Sequence, residues 1–311
     1  MEMGNCSEPT EFILLGLSSN PSVQTLLFCL FLTIYVSSLV ANGLLIMAVK
    51  RDGHLHSSMY FFLANLSIMD ICYTSVIVPK ALVNFLGGKK SISYNGCVLQ
   101  IFFYLFLGES ECILLAFMAY DRYIAICSPL SYSTVLSTAV CARMISASWV
   151  AGCLISALDV GFIYRLTFCG PNTIDHFFCE VPSLIQLACT DVTINVILMF
   201  AGGAILLLLP LLLILFSYVQ IFIAAKRISC GRYKAFSTCT AHLIVVVLFY
   251  GTATFMYMRP RHSAQQTDKI VSVFYTVVTP MLNPLIYSLR NREVHGALRG
   301  LRRSSASPCH R

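Results

Sequence analysis

The sequence predicts an all-α membrane protein, a bundle of seven spanning helices with its N-terminus outside and a short amphipathic C-terminal helix. Three observations carry that prediction. The 311 residues are 57% hydrophobic and only 11% charged, where soluble domains carry about a quarter charged residues. Seven apolar stretches reach the roughly 20 residues a helix needs to cross hydrocarbon while satisfying its own backbone hydrogen bonds. Lys and Arg gather in alternate connections, as they do when positive loops are retained in the cytoplasm.

Residues 1–23 read as an extracellular tail. With Glu2, Glu8 and Glu11 scattered through it, this segment lacks the basic and then apolar order of a cleavable signal peptide, so the first span serves as the insertion signal. Asn5-Cys6-Ser7 is a glycosylation sequon on that tail, and Asn5 is read as modified. Asn65-Leu66-Ser67 also matches but falls within a span. The seven spans are 24–49, 59–79, 98–120, 143–163, 194–225, 235–258 and 270–289, which together make one membrane domain over 24–289. The segment 290–311 is a cytoplasmic tail. There Val294, Leu298 and Leu301 continue a helical spacing from Leu289 among Arg290, Arg292, Arg299, Arg302 and Arg303, a pattern suited to an amphipathic helix on anionic lipid.

Orientation follows from counting. With the N-terminus outside, the inner face holds Lys50, Arg51, Arg122, Arg143, Lys226, Arg227, Arg232, Lys234, Arg290, Arg292, Arg299, Arg302, Arg303 and Arg311, fourteen in all. The outer face holds seven: Lys80, Lys89, Lys90, Arg165, Arg259, Arg261 and Lys269. The net charge of +7 is therefore a topology signal, and no nucleic-acid partner is expected. Of the fourteen cysteines, Cys97, Cys169, Cys179 and Cys189 fall on the outer, oxidising side, along with an odd Cys6. Four cysteines allow three pairings, and spacing leaves the choice open.

Acidic residues inside spans are costly and mark function. Asp70, Glu109, Glu111 and Asp159 lie within spans, without a basic residue in the membrane middle to match them. Asp70 and Glu111 repel if they face each other, unless one is protonated or a cation lies between them. Two readings stay open: a sodium-type site with Asn283 and Ser67 as supporting oxygens, or neutral acids held by hydrogen bonds. At the inner edge of the third span, Asp121 and Arg122 sit adjacent in Met118-Ala119-Tyr120-Asp121-Arg122-Tyr123. In the last span, Pro280 and Pro284 each remove a backbone donor one turn apart, so the helix bends there at low cost. Tyr287 is placed to move with that bend.

These residues resemble the rhodopsin-like family of G-protein-coupled receptors and, within it, the olfactory receptor branch. The resemblance is carried by Leu55-His56-Ser57-Ser58-Met59-Tyr60-Phe61-Phe62-Leu63, Met118 to Cys127, Ser217-Tyr218, Lys234 to Cys239 and Pro280 to Asn291. It implies an odorant receptor in the plasma membrane that binds small, mostly apolar volatiles and activates a stimulatory heterotrimeric G protein through cyclic AMP. No cofactor is implied beyond a sodium ion as an allosteric ligand, and Asp70 and Glu111 match the family's acid pair, which favours the cation reading.

Roles follow residue by residue from the resemblance. Asp121 holds Arg122 at rest, with Tyr123 beside it, and releases it to the G protein when span six moves. Tyr218 and Tyr287 then fill the gap, Lys234 begins the inner end of span six, and Asn283-Pro284 forms the hinge. Cys97 pairs with Cys179 and Cys169 with Cys189. Where Ser58 stands, the family usually has proline, so the turn entering span two is expected to be looser.

The family's ligand pocket lies in the outer half, between spans three, five, six and seven. Helical period then selects Tyr104, Leu105, Gly108, Glu109 and Cys112, Gly202, Gly203 and Leu206, Tyr250, Thr254 and Tyr257, and Thr276. Glu109 is the sharpest of these, because the family more often has a small residue there. It is expected either to favour a ligand with a hydroxyl or amine, or to hydrogen-bond Tyr250 or another helix. Tyr250 is expected at the pocket floor.

Other classes fit less well. No His-Glu-x-x-His, Gly-x-Ser-x-Gly or phosphate-cradling loop is present, so the chain is not expected to be an enzyme. His54, His56 and His242 are isolated. A transporter predicts repeated halves with paired broken helices, and the seven spans show no such symmetry.

Overall fold

The computed structural model describes residues 10–51, 57–87, 89–169, 172–227, 232–258 and 265–290. Seven helices among them are long and apolar enough to cross a membrane, with mean hydropathy from 1.5 to 2.8 in their best windows. They are α1 (Pro21–Arg51), α2 (Ser58–Phe85), α3 (Tyr94–Cys127), α4 (Thr138–Ile163), α5 (Thr193–Arg227) and α6 (Arg232–Tyr257). The seventh, α7, runs through Gln265–Val273, a π turn at Phe274–Val278 and Thr279–Arg290. The protein is a multi-pass membrane protein.

Most of these helices overrun the predicted spans, because hydropathy marks only the part in hydrocarbon. At ~1.5 Å per residue, the 34 residues of α3 extend about 50 Å against a hydrocarbon thickness of ~30 Å. The first turn of α3 is capped by Ser93, whose Oγ accepts from the Gly96 N–H at 3.1 Å. The amphipathic helix expected beyond Arg290, and Asn5 of the sequon, lie outside the described residues.

Burial ranks the helices. In its apolar window α3 is 61% buried inside the protein, against 11% for α1 and 17% for α5, so α3 is the central post and the other two face lipid. α4 reaches α3 through small residues four apart: Ser148, Gly152 and Ser156, all buried. A Cβ on Gly152 would stand 2.3 Å from Ser110 Oγ and 2.7 Å from the Phe106 carbonyl, and Ser156 Oγ donates to the Phe102 carbonyl at 2.7 Å. Packing of this kind, with small residues letting backbones approach, substitutes for the hydrophobic drive that lipid removes.

At the end of the bundle where α3 begins stands a small sheet, an addition to the all-α architecture expected from the sequence. β1 (Glu11–Leu14) pairs antiparallel with β2 (Ser91–Ser93) and parallel with β3 (Thr173–Ile174). Its alternation buries Phe12 and Leu14 completely. So part of the supposed N-terminal tail is built into the fold; a four-residue strand whose partners lie about 80 and 160 residues away leaves almost no local signal. Gly16 follows at φ +79°, where glycine is favoured, and donates to the His176 carbonyl at 3.1 Å.

Disulfides join Cys97 to Cys179 and Cys169 to Cys189 at this end. Gln100 locks the loop further: its Oε1 accepts from the Cys179 N–H at 2.9 Å and its Nε2 donates to the Val76 carbonyl of α2 at 3.0 Å. Lys269 of α7 pairs with Asp175 of the loop and donates to the Gly16 carbonyl at 3.3 Å.

The irregularity in α7 has identifiable causes. Pro280 cannot donate to the Thr276 carbonyl, and the widened π turn ends just before it. Pro284 likewise leaves the Pro280 carbonyl without its helical donor, and Asn42 of α1 supplies the missing bond through Nδ2 at 3.1 Å. A weakened helix is thereby tied to its neighbour at the break.

Candidate functional site

A cavity of about 260 Å³ lies beneath the loop that carries Cys179. α3 lines it with Tyr104, Leu105, Gly108, Glu109 and Cys112, and α5 with Leu198, Met199, Gly202, Gly203, Leu206 and Leu207. α6 contributes Phe249, Ala253 and Tyr257, spaced four apart on one face, while Tyr275 comes from the π turn of α7. Tyr104 and Tyr257 hydrogen-bond across one wall through their hydroxyls. Most of the surface is apolar, and the polar groups converge on it, as ligand sites in helical bundles require.

α4 also lines this space, through Ile155, Leu158, Asp159 and Phe162. That shifts the site from the expected one, since the small-residue stripe draws α4 against α3 and turns its next face inward. Asp159 is in hydrogen-bond contact with Glu109 across the α3–α4 interface, so the alternative expectation for Glu109, a bond to another helix, is met by α4 and not by Tyr250. The sequence signal was present as an acid inside an apolar span, but its partner depends on how two helices pack.

Three expected lining residues lie elsewhere. Tyr250 is buried beside the floor, with its hydroxyl donating to the Cys112 carbonyl at 2.8 Å and not to Glu109. Thr254 stands about 100° round the helix from Ala253, off the cavity face. Thr276 is turned into the core by the π register and donates to the Ser272 carbonyl at 2.6 Å, leaving Tyr275 to face the cavity.

Below the floor, α3 and α6 are fastened again. His242 Nε2 meets the Leu115 carbonyl at 3.1 Å and its Nδ1 meets Tyr218 OH of α5 at 2.7 Å. A carbonyl only accepts, so Nε2 carries the proton and Nδ1 accepts from tyrosine. His242, which looked isolated in sequence, therefore bridges three helices. One turn along α3 from Leu115, at the level of Glu111, that residue meets Asp70 and Asn283 in the core: Asn283 Nδ2 lies 3.1 and 3.2 Å from the Asp70 oxygens and 3.4 Å from Glu111 Oε1. Ser67 is buried nearby in sequence without a hydrogen bond to this group among the described contacts.

Roughly 18 Å along α3 from Glu109, at 1.5 Å per residue, the Asp121 carboxylate pairs with Arg122 through Oδ2. Its other oxygen, Oδ1, accepts from Ser58 Oγ at 2.5 Å and from Tyr132 OH at 2.9 Å, and those two hydroxyls are themselves 2.6 Å apart. The expected looser turn at Ser58 is thus fastened to α3 by its side chain. Burial, and then the Asp121 charge, push the Tyr132 phenol up to about 12, so it remains a donor near neutral pH. Tyr123 packs tilted on Tyr120, and Tyr287 is buried with no partner for its hydroxyl among the described residues. Lys234 lies within α6, with its side chain outside the described residues.

A seven-helix membrane bundle with a ligand-sized cavity in one half and a buried Asp121-Arg122 pair in the other fits a receptor of the G-protein-coupled class. A family profile described as olfactory receptor matches residues 28–302. Human olfactory receptor 13D1 is 51% identical over 96% of this chain and 87% of its own length. Human olfactory receptor 10C1 is 51% identical over 95% of this chain and 96% of its own. Olfactory receptor 5AP2 of Mus musculus is 50% identical over 95% and 94%. The chain belongs to the olfactory receptor family: it is an odorant receptor coupled to a G protein, and not an enzyme.

Proposed function

We propose that the cavity is the odorant site and that Asp121-Arg122 is the output latch of a receptor that raises cyclic AMP through a stimulatory G protein. The observation that carries this reading is the pair of bonds between cavity and latch, Tyr250 to Cys112 and His242 to Leu115. They hold α6 against α3, and α6 cannot swing while both persist. Each is worth about 1 kcal/mol net, so a ligand that favours the opened state by a few kcal/mol shifts the population substantially. A small odorant has that capacity, with a ceiling of about 1.5 kcal/mol per non-hydrogen atom.

The same reading sets the N-terminus outside the plasma membrane and the C-terminus in the cytoplasm. Fourteen inner against seven outer Lys and Arg support it, as do two disulfides at the β-sheet end. Asp70, Glu111 and Asn283 are the residues that would hold sodium. Asn283 Oδ1 is buried without a partner, and turning the amide round presents that oxygen beside the two carboxyls, a donor set suited to a hard cation. The ion would supply the positive charge that this buried acid pair lacks.

A surface-expressed receptor read out by cyclic AMP over a chemically diverse odorant panel tests the function, with Arg122→Ala as the silent control. Responses that persist in Arg122→Ala at equal surface density would refute the latch.

A further inference from the structure

Two facing carboxyls inside the cavity are left unexplained by a purely apolar odorant. Glu109 is 8% exposed and its Oε2 has no hydrogen-bond partner among the described residues. Asp159 is in hydrogen-bond contact with the Glu109 carboxyl, against which the Ser156 backbone also lies, so the pair must share a proton or take up a cation. Both side chains line the cavity, and among the described residues no Lys, Arg or His lines it with them. A carboxylate in such a place demands a proton or a counter-charge, and two of them repel when both are ionised.

Ligand classes differ in what they offer this pair. A hydrocarbon leaves Oε2 bare, and an alcohol supplies one donor. An ammonium supplies three donors and a positive charge, so it can bond both acids at once through charge-assisted hydrogen bonds. The remaining wall is apolar, including Leu105, Ile155, Leu158 and Leu206. The cavity, at about 260 Å³, far exceeds the ~10–15 Å³ that a single water needs, which leaves room for a compact ligand.

The geometry points to a small primary alkylamine, bound as its ammonium between Glu109 and Asp159, as the ligand class of this receptor. This inference rests on the cavity being the odorant site and adds the head group that the site selects. The amine nitrogen sits at the α3–α4 contact and the chain runs toward α5. Glu109 Oε2 gains the partner it lacks, and the apolar tail covers the leucines.

The experiment compares 1-aminohexane, 1-hexanol and heptane on the surface-expressed receptor by cyclic AMP, with surface density measured by an N-terminal epitope. The half-maximal concentration for the amine is expected to lie at least about tenfold below that for the alcohol. Glu109→Gln is expected to raise the amine value by about tenfold or more while moving the alcohol value by less than about threefold, and Asp159→Asn to act in the same direction. Should Glu109→Gln fail to reach the surface, Asp159→Asn carries the same comparison. Equal potency of amine and alcohol, or variants that shift both alike, overturns the ammonium site and leaves the cavity reading standing. Silence toward all three compounds from receptor present at the surface overturns the ammonium site and counts against the cavity as well.

Discussion

Ser58→Ala tests the latch most directly, because Ser58 touches the same Asp121 carboxylate that holds Arg122. At rest the carboxylate charge is shared among Arg122, Ser58 and Tyr132. When Arg122 leaves, the two hydroxyls are the donors that remain, and each bond is then to an unpaired charge. A hydrogen bond to a charged group is worth about 1.5–3 kcal/mol, against about 0.5–1.5 kcal/mol for an ordinary one. Ser58 therefore stabilises the opened latch more than the closed one, by about 1–1.5 kcal/mol. Removing it tightens the latch by that difference, which is about five- to tenfold in the equilibrium. Surface-normalised cyclic AMP dose–response curves for Ser58→Ala are expected to show lower basal signal and a half-maximal concentration raised about five- to tenfold. Tyr132→Phe acts on the same oxygen in the same direction, and the double variant departs from additivity because both hydroxyls donate to that one oxygen. A Ser58→Ala receptor with raised basal signal would refute the reasoning, since Ser58 would then belong to the closed state.

Tyr250→Phe removes a bond of about 1 kcal/mol between α6 and α3, so basal cyclic AMP is expected to rise about fivefold; an unchanged basal level removes this bond from the restraint. Gly152→Ala drives a methyl into Ser110 Oγ and the Phe106 carbonyl. The expected cost is about 1–3 kcal/mol, seen as lower surface expression and a lower melting temperature in detergent, and Ser110→Ala should restore only part of it because the carbonyl remains. Asn42→Ala strips the donor from the Pro280 carbonyl, a loss of about 1–3 kcal/mol for a buried unsatisfied acceptor; a melting temperature equal to that of the parent would show that α7 finds another donor.

Features written into one helix were legible without the fold. Seven apolar runs, the Asp121-Arg122 dipeptide and the two prolines of α7 each act through their own backbone or nearest neighbours, so period and spacing expose them. Nine of the twelve residues selected by helical period do line the cavity: Tyr104, Leu105, Gly108, Glu109, Cys112, Gly202, Gly203, Leu206 and Tyr257. The misses have local causes. Thr276 lies off the cavity because a π turn shifts register by a residue, and Thr254 because the cavity face of α6 runs through Phe249, Ala253 and Tyr257. The Ser148, Gly152 and Ser156 stripe is visible in the sequence as small residues four apart, but only the packing shows which helix it meets.

By itself, then, the sequence determined that the chain enters the bilayer, how often it crosses, where α7 loses its backbone donors and which acids lie in hydrocarbon. Only the tertiary structure decided what those groups meet. Asp159 opposite Glu109, Ser58 and Tyr132 on Asp121, His242 between Leu115 and Tyr218, and Asn42 on Pro280 all join residues from different segments. The physical reason is that helix formation in lipid is imposed residue by residue by the need to pair every backbone donor. Which faces then meet is settled by side-chain shape across several helices at once, information that no single stretch of chain contains.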